Sequence, residues 1–216
     1  MIPIECQLDN RGILYLDNYP LKKRIYYGNR EFDKSYFFEI DSTKEYIIKY
    51  HKEKLNKNDV LDMLLKFYNI NGKNLNNIDF PIGYYRENDQ IKGLIIPNYP
   101  YAISIKDAMI LNNLNDYYNQ FNNLKDNILK LLDDILQILE SLYNHDIIYT
   151  DVNSGNFLIY HNEVKIIDFD PKYIFYKDNF YVQRMFFNYC MLYDLICKRY
   201  NINNENKVKK MIKKGW

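Results

Sequence analysis

The chain has few of the residues that mark disulfide-rich or metal-binding proteins. It contains three cysteines, Cys6, Cys190 and Cys197, none of which forms a close pair with metal-ligand spacing. An odd number of cysteines is also a poor basis for a disulfide framework, so we expect a reducing compartment. Cys190 and Cys197 lie seven positions apart on a predicted helix, which fits two core positions or a redox couple.

Glycine (7 residues), proline (6 residues) and net charge (+1) are also low. A balanced charge predicts neither a nucleic-acid-binding protein nor a membrane-surface protein. The longest apolar runs are far shorter than a membrane span. The N-terminal residues lack a basic region followed by an apolar core, so we expect no signal peptide. These absences predict a cytoplasmic protein, or one in a host cytosol if it is viral or an effector.

The hydrophobic content (47% of 216 residues) is globular, and the length suits one substantial domain or two small lobes. The first half of the chain is rich in β-branched and aromatic residues in short runs that turn residues separate. One helix interrupts them, with Asn58 as its predicted cap and apolar positions as far as Phe67. The predicted strands are 12–16, 24–27, 35–40, 45–50, 83–85 and 93–96.

The second half of the chain is predicted to be mainly helical. Residues 117–144 carry leucine and isoleucine at intervals of three and four, as a buried helix stripe does. A hairpin of two short strands follows, and then a helix from about Asp178 to Tyr200. Pro97 and Pro100 indicate a stiff connector between the two halves. The sequence therefore predicts an α+β protein whose β-rich part precedes a helical part.

The richest pattern lies in that hairpin region. Asp151 and Asn156 follow a short apolar strand, and Asp168 comes twelve positions after Asn156, at the end of another. Two carboxylates and a carboxamide are the ligand types that Mg²⁺ takes beside a nucleoside triphosphate. The alternative is that Asp151 and Asn156 are turn residues and that Asp168 caps a strand.

These residues resemble the catalytic loop and metal-binding motif of the protein-kinase-like superfamily. The family pattern is H-x-D-x-x-x-x-N followed by D-F-G, and here Asp151 and Asn156 keep the first spacing while Asp168-Phe169-Asp170 stands in place of the second. The resemblance spans roughly residues 24–195. It implies a two-lobed kinase-like fold, with a β-rich N-lobe over residues 1–97 and a reduced α-helical C-lobe over residues 98–216.

The resemblance also implies roles for these side chains. Asp151 would accept or orient the substrate hydroxyl, while Asn156 and Asp168 would bind Mg²⁺ at the phosphates of ATP. Lys49, in a segment that resembles V-A-I-K, would pair with the α- and β-phosphates. An ordinary strand-edge lysine is the alternative. The expected helical glutamate partner of Lys49 is missing, and Asp62 is the preferred substitute over Asp59.

Several positions depart from the family pattern. The glycine-rich loop retains one glycine, Gly28, and Lys34 or Arg30 would compensate at the phosphates. Tyr149-Thr150 replaces the H-R that precedes the catalytic Asp. Asn153 replaces a phosphate-contacting lysine. About ten residues separate Asp168 from the next helix, and no A-P-E motif follows.

Asp178 either caps that helix or holds the catalytic-loop backbone, as an aspartate does in protein kinases. The compact ending is similar to the Bud-type small kinases and to minimal bacterial effector kinases. A short segment after Asp168 cannot cradle an extended peptide, so a folded protein is the expected acceptor. The first prediction of function is therefore an atypical protein Ser/Thr kinase that uses ATP and Mg²⁺.

Two alternatives stay open for the function. One is a small-molecule phosphotransferase of the aminoglycoside- or choline-kinase type, which Asp170 and the short segment favour. The other is a pseudokinase that binds a partner without catalysis. The basic residues 206–216 form either a solvated last helix or a surface for an acidic partner or RNA.

Overall fold

A computed structural model describes residues 2–25, 35–70, 75, 78–176 and 178–203. The chain divides into two compact units. One comprises residues 1–74 and 79–100, and the other comprises residues 75–78 and 101–216. The boundary between residues 97 and 98 stays a prediction.

The first unit is a seven-stranded sheet with one helix, α1 (Lys57–Ile70). The strand order is β1-β2-β6-β7-β5-β4-β3, and the pairs are antiparallel except for β2 with β6. Leu16, Ile48 and Ile95 are among the buried residues at its core. The strands are β1 (Gln7–Leu8), β2 (Leu14–Asp17), β3 (Arg24–Ile25), β4 (Ser35–Ile40), β5 (Thr43–His51), β6 (Gly83–Glu87) and β7 (Gln90–Pro97).

The predicted cap of α1 is wrong. The backbone N–H groups of Asn58 and Asp59 donate to Oδ1 of Asn56, at 2.9 and 3.4 Å, and α1 begins at Lys57. The chain therefore turns into the helix at Asn56, and Asn58 lies in the first turn as a donor rather than as the capping acceptor.

The second unit is mainly helical. Its helices are α2 (Ile105–Leu111), α3 (Leu114–Tyr117), α4 (Leu124–Asn144) and α5 (Asn179–Arg199). A three-stranded sheet of order β11-β10-β8 and a two-stranded sheet of order β12-β9 complete it. The strands are β8 (Ile103–Ser104), β9 (Ile148–Tyr149), β10 (Phe157–Tyr160), β11 (Glu163–Ile166) and β12 (Ile174–Phe175).

The predicted long helix begins at Leu124 rather than at residue 117. Oδ1 of Asn123 accepts from the backbone N–H of Asp126 at 2.9 Å and caps α4 there. The buried side chain of Asn127 bonds both the N–H and the carbonyl of Phe121 and so holds the preceding turn. These local bonds end the helical path that periodicity alone extends back to residue 117.

The structure confirms the predicted α+β class, with a β-rich sheet followed by a mainly helical part. The predicted hairpin is β10–β11, in which Phe157 pairs with Ile166. The predicted last helix is α5, within two residues of its expected ends. Among the described residues, no helix is long and apolar enough to span a membrane.

Candidate phosphotransfer site

The turn between β9 and β10 holds the carboxylate of Asp151 through both of its oxygens. Nδ2 of Asn153 donates to Oδ1 of Asp151 at 3.0 Å, and Nδ2 of Asn156 donates to Oδ2 at 2.8 Å. The loop itself is fixed because Oδ1 of Asn153 accepts from the backbone N–H of Gly155 at 2.9 Å. Two carboxamides therefore set the direction of one half-buried carboxylate.

Asn153 takes a role that the sequence did not predict. Its position corresponds to a phosphate-contacting lysine in the kinase pattern, so the sequence predicts only the loss of that contact. In the structure its side chain bonds both the backbone carbonyl and the carboxylate of Asp151, at 3.1 and 3.0 Å. The residue thus positions Asp151 instead of supplying a cation.

The hydroxyl of Tyr149 is the buried centre of the site, and sequence reasoning missed it. It accepts from Nδ2 of Asn156 at 3.0 Å and donates to the carbonyl of Ile167 at 3.4 Å. Burial, with the charges of Asp168 and Asp151, raises the pKa of Tyr149 well above its usual value, so the hydroxyl stays protonated. The sequence feature that could have indicated this residue is its position, because the family pattern has histidine at the place of Tyr149.

Asp168 lies after β11 and is tied to Asn156 through the backbone. The N–H of the preceding residue, Ile167, donates to the carbonyl of Asn156 at 2.9 Å. Asp168 has a left-handed backbone (φ 66°), which is uncommon for a residue other than glycine. The ring of the next residue, Phe169, is buried against that of Tyr149, with centroids 5.7 Å apart. The fold thus brings Asp168 to the same tyrosine that contacts Asn156.

Asp170 stiffens the segment that follows. Its side chain accepts from the backbone N–H of Lys172 at 3.2 Å and caps a 3₁₀ turn over Pro171–Tyr173. Its other oxygen forms an ion pair with Nζ of Lys172 at 2.9 Å. Replacement of the glycine of D-F-G by aspartate therefore fixes this segment.

Asn188 on α5 holds the backbone of the loop that contains Asp151. Its Nδ2 donates to the carbonyl of Thr150 at 2.6 Å, next to Asp151. Asp178, in contrast, accepts from the N–H of Phe180 at 2.8 Å and is the N-cap of α5. Of the two roles considered for Asp178, the structure shows the cap, and Asn188 supports the loop from about three turns further along the helix.

The donor set suits Mg²⁺. A carboxylate can only accept hydrogen bonds, so the atom of the Asn156 amide that contacts Asp151 must be Nδ2. The amide oxygen, Oδ1, therefore points away from Asp151. In the described part of the chain, no donor bonds this oxygen. A neutral oxygen and the carboxylate of Asp168 fit a cation that completes its shell with phosphates and water. No group of three or more His, Cys, Asp or Glu side chains with metal-site geometry occurs within the described ranges.

The sequence-predicted residues of the first unit lie on separate elements. Lys49 is in β5 and is 5% exposed, so it is not an ordinary strand-edge lysine. A side chain at Gly93 on β7 would place a Cβ 2.6 Å from the carbonyl of Lys49, so the close approach of the two strands requires glycine there. Asp62 lies on the exposed face of α1. Gly28 and Lys34, like Arg30, lie outside the described residues.

One comparison with known proteins decides the family. The model of the lipopolysaccharide core biosynthesis protein (WaaY) family matches residues 104–213, just over half of the chain. The chain belongs to the WaaY family. This family is part of the protein-kinase-like superfamily, as the sequence motifs predicted. No curated protein matches the chain.

Membership of the WaaY family corrects the first prediction of function. The match is to a kinase-like phosphotransferase family of lipopolysaccharide core biosynthesis and supports no protein substrate. The small-molecule alternative is therefore the better one, and the protein Ser/Thr kinase prediction is wrong. The finer likeness to Bud-type and effector kinases has no support in this comparison, which matches the WaaY family.

Tyr149→Phe tests the buried centre of the WaaY-family site. The substitution removes one hydroxyl, so Asn156 loses an acceptor and Ile167 loses a donor in a buried region. We expect the free energy of unfolding to fall by about 1–3 kcal/mol. Urea denaturation measures it, with Tyr143→Phe, at an exposed tyrosine on α4, as the matched control. Equal stability of the two variants would contradict the role of Tyr149.

Proposed function

We propose that this protein transfers the γ-phosphoryl group of ATP to a hydroxyl of a heptose in the lipopolysaccharide core. The observation that carries the proposal is the doubly held carboxylate of Asp151, in a chain of the WaaY family. Phosphoryl transfer depends mostly on positioning and on neutralising charge, and a fixed carboxylate supplies the positioning of the attacking hydroxyl.

Asp151 would receive the proton of the sugar hydroxyl. Both of its oxygens accept a hydrogen bond from a carboxamide, and neither contact is to a cation among the described residues. Each oxygen has a second lone pair, so the carboxylate can still accept a hydrogen bond from a substrate hydroxyl. Asn153 and Asn156 act through Asp151 in this scheme, and Asn188 acts through the backbone of Thr150.

Asn156 and Asp168 would hold Mg²⁺, through one amide oxygen and one carboxylate. The ion supplies charge neutralisation at the phosphates when it is bound. Tyr149 keeps the amide oxygen of Asn156 turned away from Asp151, because it accepts from the amide nitrogen. The remaining contacts to ATP are proposed for Lys49, with Gly28 and Lys34 at the phosphates and Asp62 as a partner for Lys49.

Transfer to three classes of acceptor tests the proposal. Purified protein, labelled ATP and Mg²⁺ are incubated with heptose-containing core oligosaccharide, with a protein lysate, or with aminoglycosides and choline. We expect labelled core oligosaccharide, and no label after Asp168→Asn. Label in proteins alone, or in the oligosaccharide to the same extent with Asp168→Asn, would overturn the proposal. A protein that ATP stabilises without any transfer would instead be a pseudokinase.

A further inference from the structure

The segment after Asp170 lies against the residues that lead into Asp151. The carbonyl of Tyr173 accepts from the backbone N–H and the hydroxyl of Thr150, at 3.0 and 3.2 Å. In the adjoining two-stranded sheet, Ile174 of β12 pairs with Tyr149 of β9. The backbone of this segment is therefore held beside the loop that contains Asp151.

One of these side chains is an exposed and oriented cation. Nζ of Lys172 lies 2.9 Å from the carboxylate of Asp170 and 4.7 Å from the centre of the Tyr173 ring, while 56% of the side chain is exposed. The hydrogen bond to Asp170, aided by the charge of Asp168, raises the pKa of Lys172. An ammonium with most of its side chain open to solvent is suited to an anionic group.

An aromatic surface continues the segment. The rings of Phe175 and Tyr181 stack in parallel with centroids 3.5 Å apart, and Phe180 meets Tyr181 edge-on at 5.3 Å. Phe180 is 66% exposed, although it is a large apolar side chain. Rings that brace one another form a rigid surface at low entropic cost, and ligand sites combine such apolar surfaces with a few placed polar groups.

We propose that this acceptor segment, residues 170–176 and 178–181, binds the sugar that is phosphorylated, with Lys172 holding an anionic group of that sugar chain and the aromatic side chains packing on its apolar face. The inference rests on the proposed function and deepens it. A pinned segment of about ten residues suits a compact acceptor better than an extended peptide. The anionic group is a phosphate or a carboxylate, and both would meet Lys172 through the same contact.

Lys172→Gln tests the cation. We expect the KM for core oligosaccharide and its Kd, measured by calorimetry, to rise about tenfold. The KM for ATP should change by less than about twofold, because the contact is to the acceptor alone. Lys198→Gln is the matched control, since Lys198 is an exposed lysine in an ion pair with Asp194 near the end of α5. An unchanged acceptor Kd after Lys172→Gln would overturn the inference.

Modified acceptors identify the anionic group. Phosphatase treatment removes phosphate monoesters from the oligosaccharide, and amidation neutralises its carboxylates. One of the two treatments should raise the Kd of the oligosaccharide for the wild-type protein about tenfold. The same treatment should change the Kd for the Lys172→Gln variant little, because that variant has already lost the contact. If neither treatment weakens binding, or if both weaken the two proteins equally, Lys172 does not hold an anion and the inference is wrong.

Binding and turnover separate this inference from the proposed function. Sugar binding that depends on Lys172, without phosphate transfer, would overturn the proposed function and leave the acceptor segment in place. Phosphate transfer to a sugar whose binding does not depend on Lys172 would support the proposed function and overturn the acceptor segment. If the wild-type protein binds no sugar, the acceptor segment is also overturned. If Lys172→Gln does not fold, Tyr173→Leu tests the same surface, because the contacts to Thr150 use the backbone carbonyl of Tyr173. We expect a similar rise in acceptor Kd, and an unchanged Kd would overturn the inference.

Discussion

Asp151→Asn is expected to lower kcat for transfer to core oligosaccharide by about 10²–10⁴-fold, the range for loss of a general base. An amide cannot receive the proton of the sugar hydroxyl. Its NH₂ group would also face the amide nitrogen of Asn153 or Asn156, where the carboxylate now accepts from both. The ATP KM should change little, because the proposed ATP contacts are made by other residues.

Steady-state kinetics with varied ATP and varied acceptor measure this effect. Asp178→Asn is the matched control, since asparagine caps a helix about as well as aspartate and α5 should keep its start. We expect control kcat within about twofold of the wild-type value. If kcat of Asp151→Asn falls no more than kcat of the control, Asp151 does not take part in the proton transfer.

Asn156→Asp is expected to reduce both stability and activity, although it alters little of the side chain's shape. The new carboxylate would stand where Nδ2 now donates to Oδ2 of Asp151 at 2.8 Å, with the site largely buried. Two carboxylates at that separation repel, and the buried hydroxyl of Tyr149 loses a donor. We expect the free energy of unfolding to fall by about 2–4 kcal/mol at pH 8.

The pH dependence of this loss gives a sharper test. Repulsion raises the folded-state pKa of the carboxylate pair above the unfolded value of about 4. The deficit of the variant relative to wild type should therefore be small near pH 4 and should grow as pH rises through the folded-state pKa. Asn203→Asp is the control, because position 203 is exposed and lies outside the site, so the same change of charge meets no second carboxylate there. A deficit independent of pH would contradict the geometry at Asn156.

The sequence predicted those parts of the fold that local patterns determine. The strand runs near Ser35–Ile40 and Thr43–His51 are rich in β-branched and aromatic residues between turn residues, so local composition located them. The apolar stripe of α4 recurs at intervals of three and four, so periodicity located that helix. The two-residue strands β1, β8 and β12 carry no such signal. They form because a segment distant in sequence lies alongside each of them, so tertiary contacts and not the local sequence determine them.

The candidate site likewise has residues that local sequence predicted and residues that only tertiary contacts reveal. Asp151, Asn156 and Asp168 could be predicted from the sequence, because the lengths of the turn and of the strands fix their spacing along the chain. The roles of Tyr149 and Asn188 were not, since each depends on a contact between segments distant in sequence. The acceptor was also predicted wrongly, because a kinase-like loop serves many substrates and only the family match distinguishes among them.

The structure of the complex with a nonhydrolysable ATP analogue and Mg²⁺ tests the central claim most directly. We predict that Oδ1 of Asn156 and the carboxylate of Asp168 both coordinate the metal, with Asp151 outside its coordination shell and facing the γ-phosphate. Lys49 should contact the α- and β-phosphates. A metal bound without Asn156 and Asp168, or nucleotide bound away from the loop of Asp151, would contradict the account.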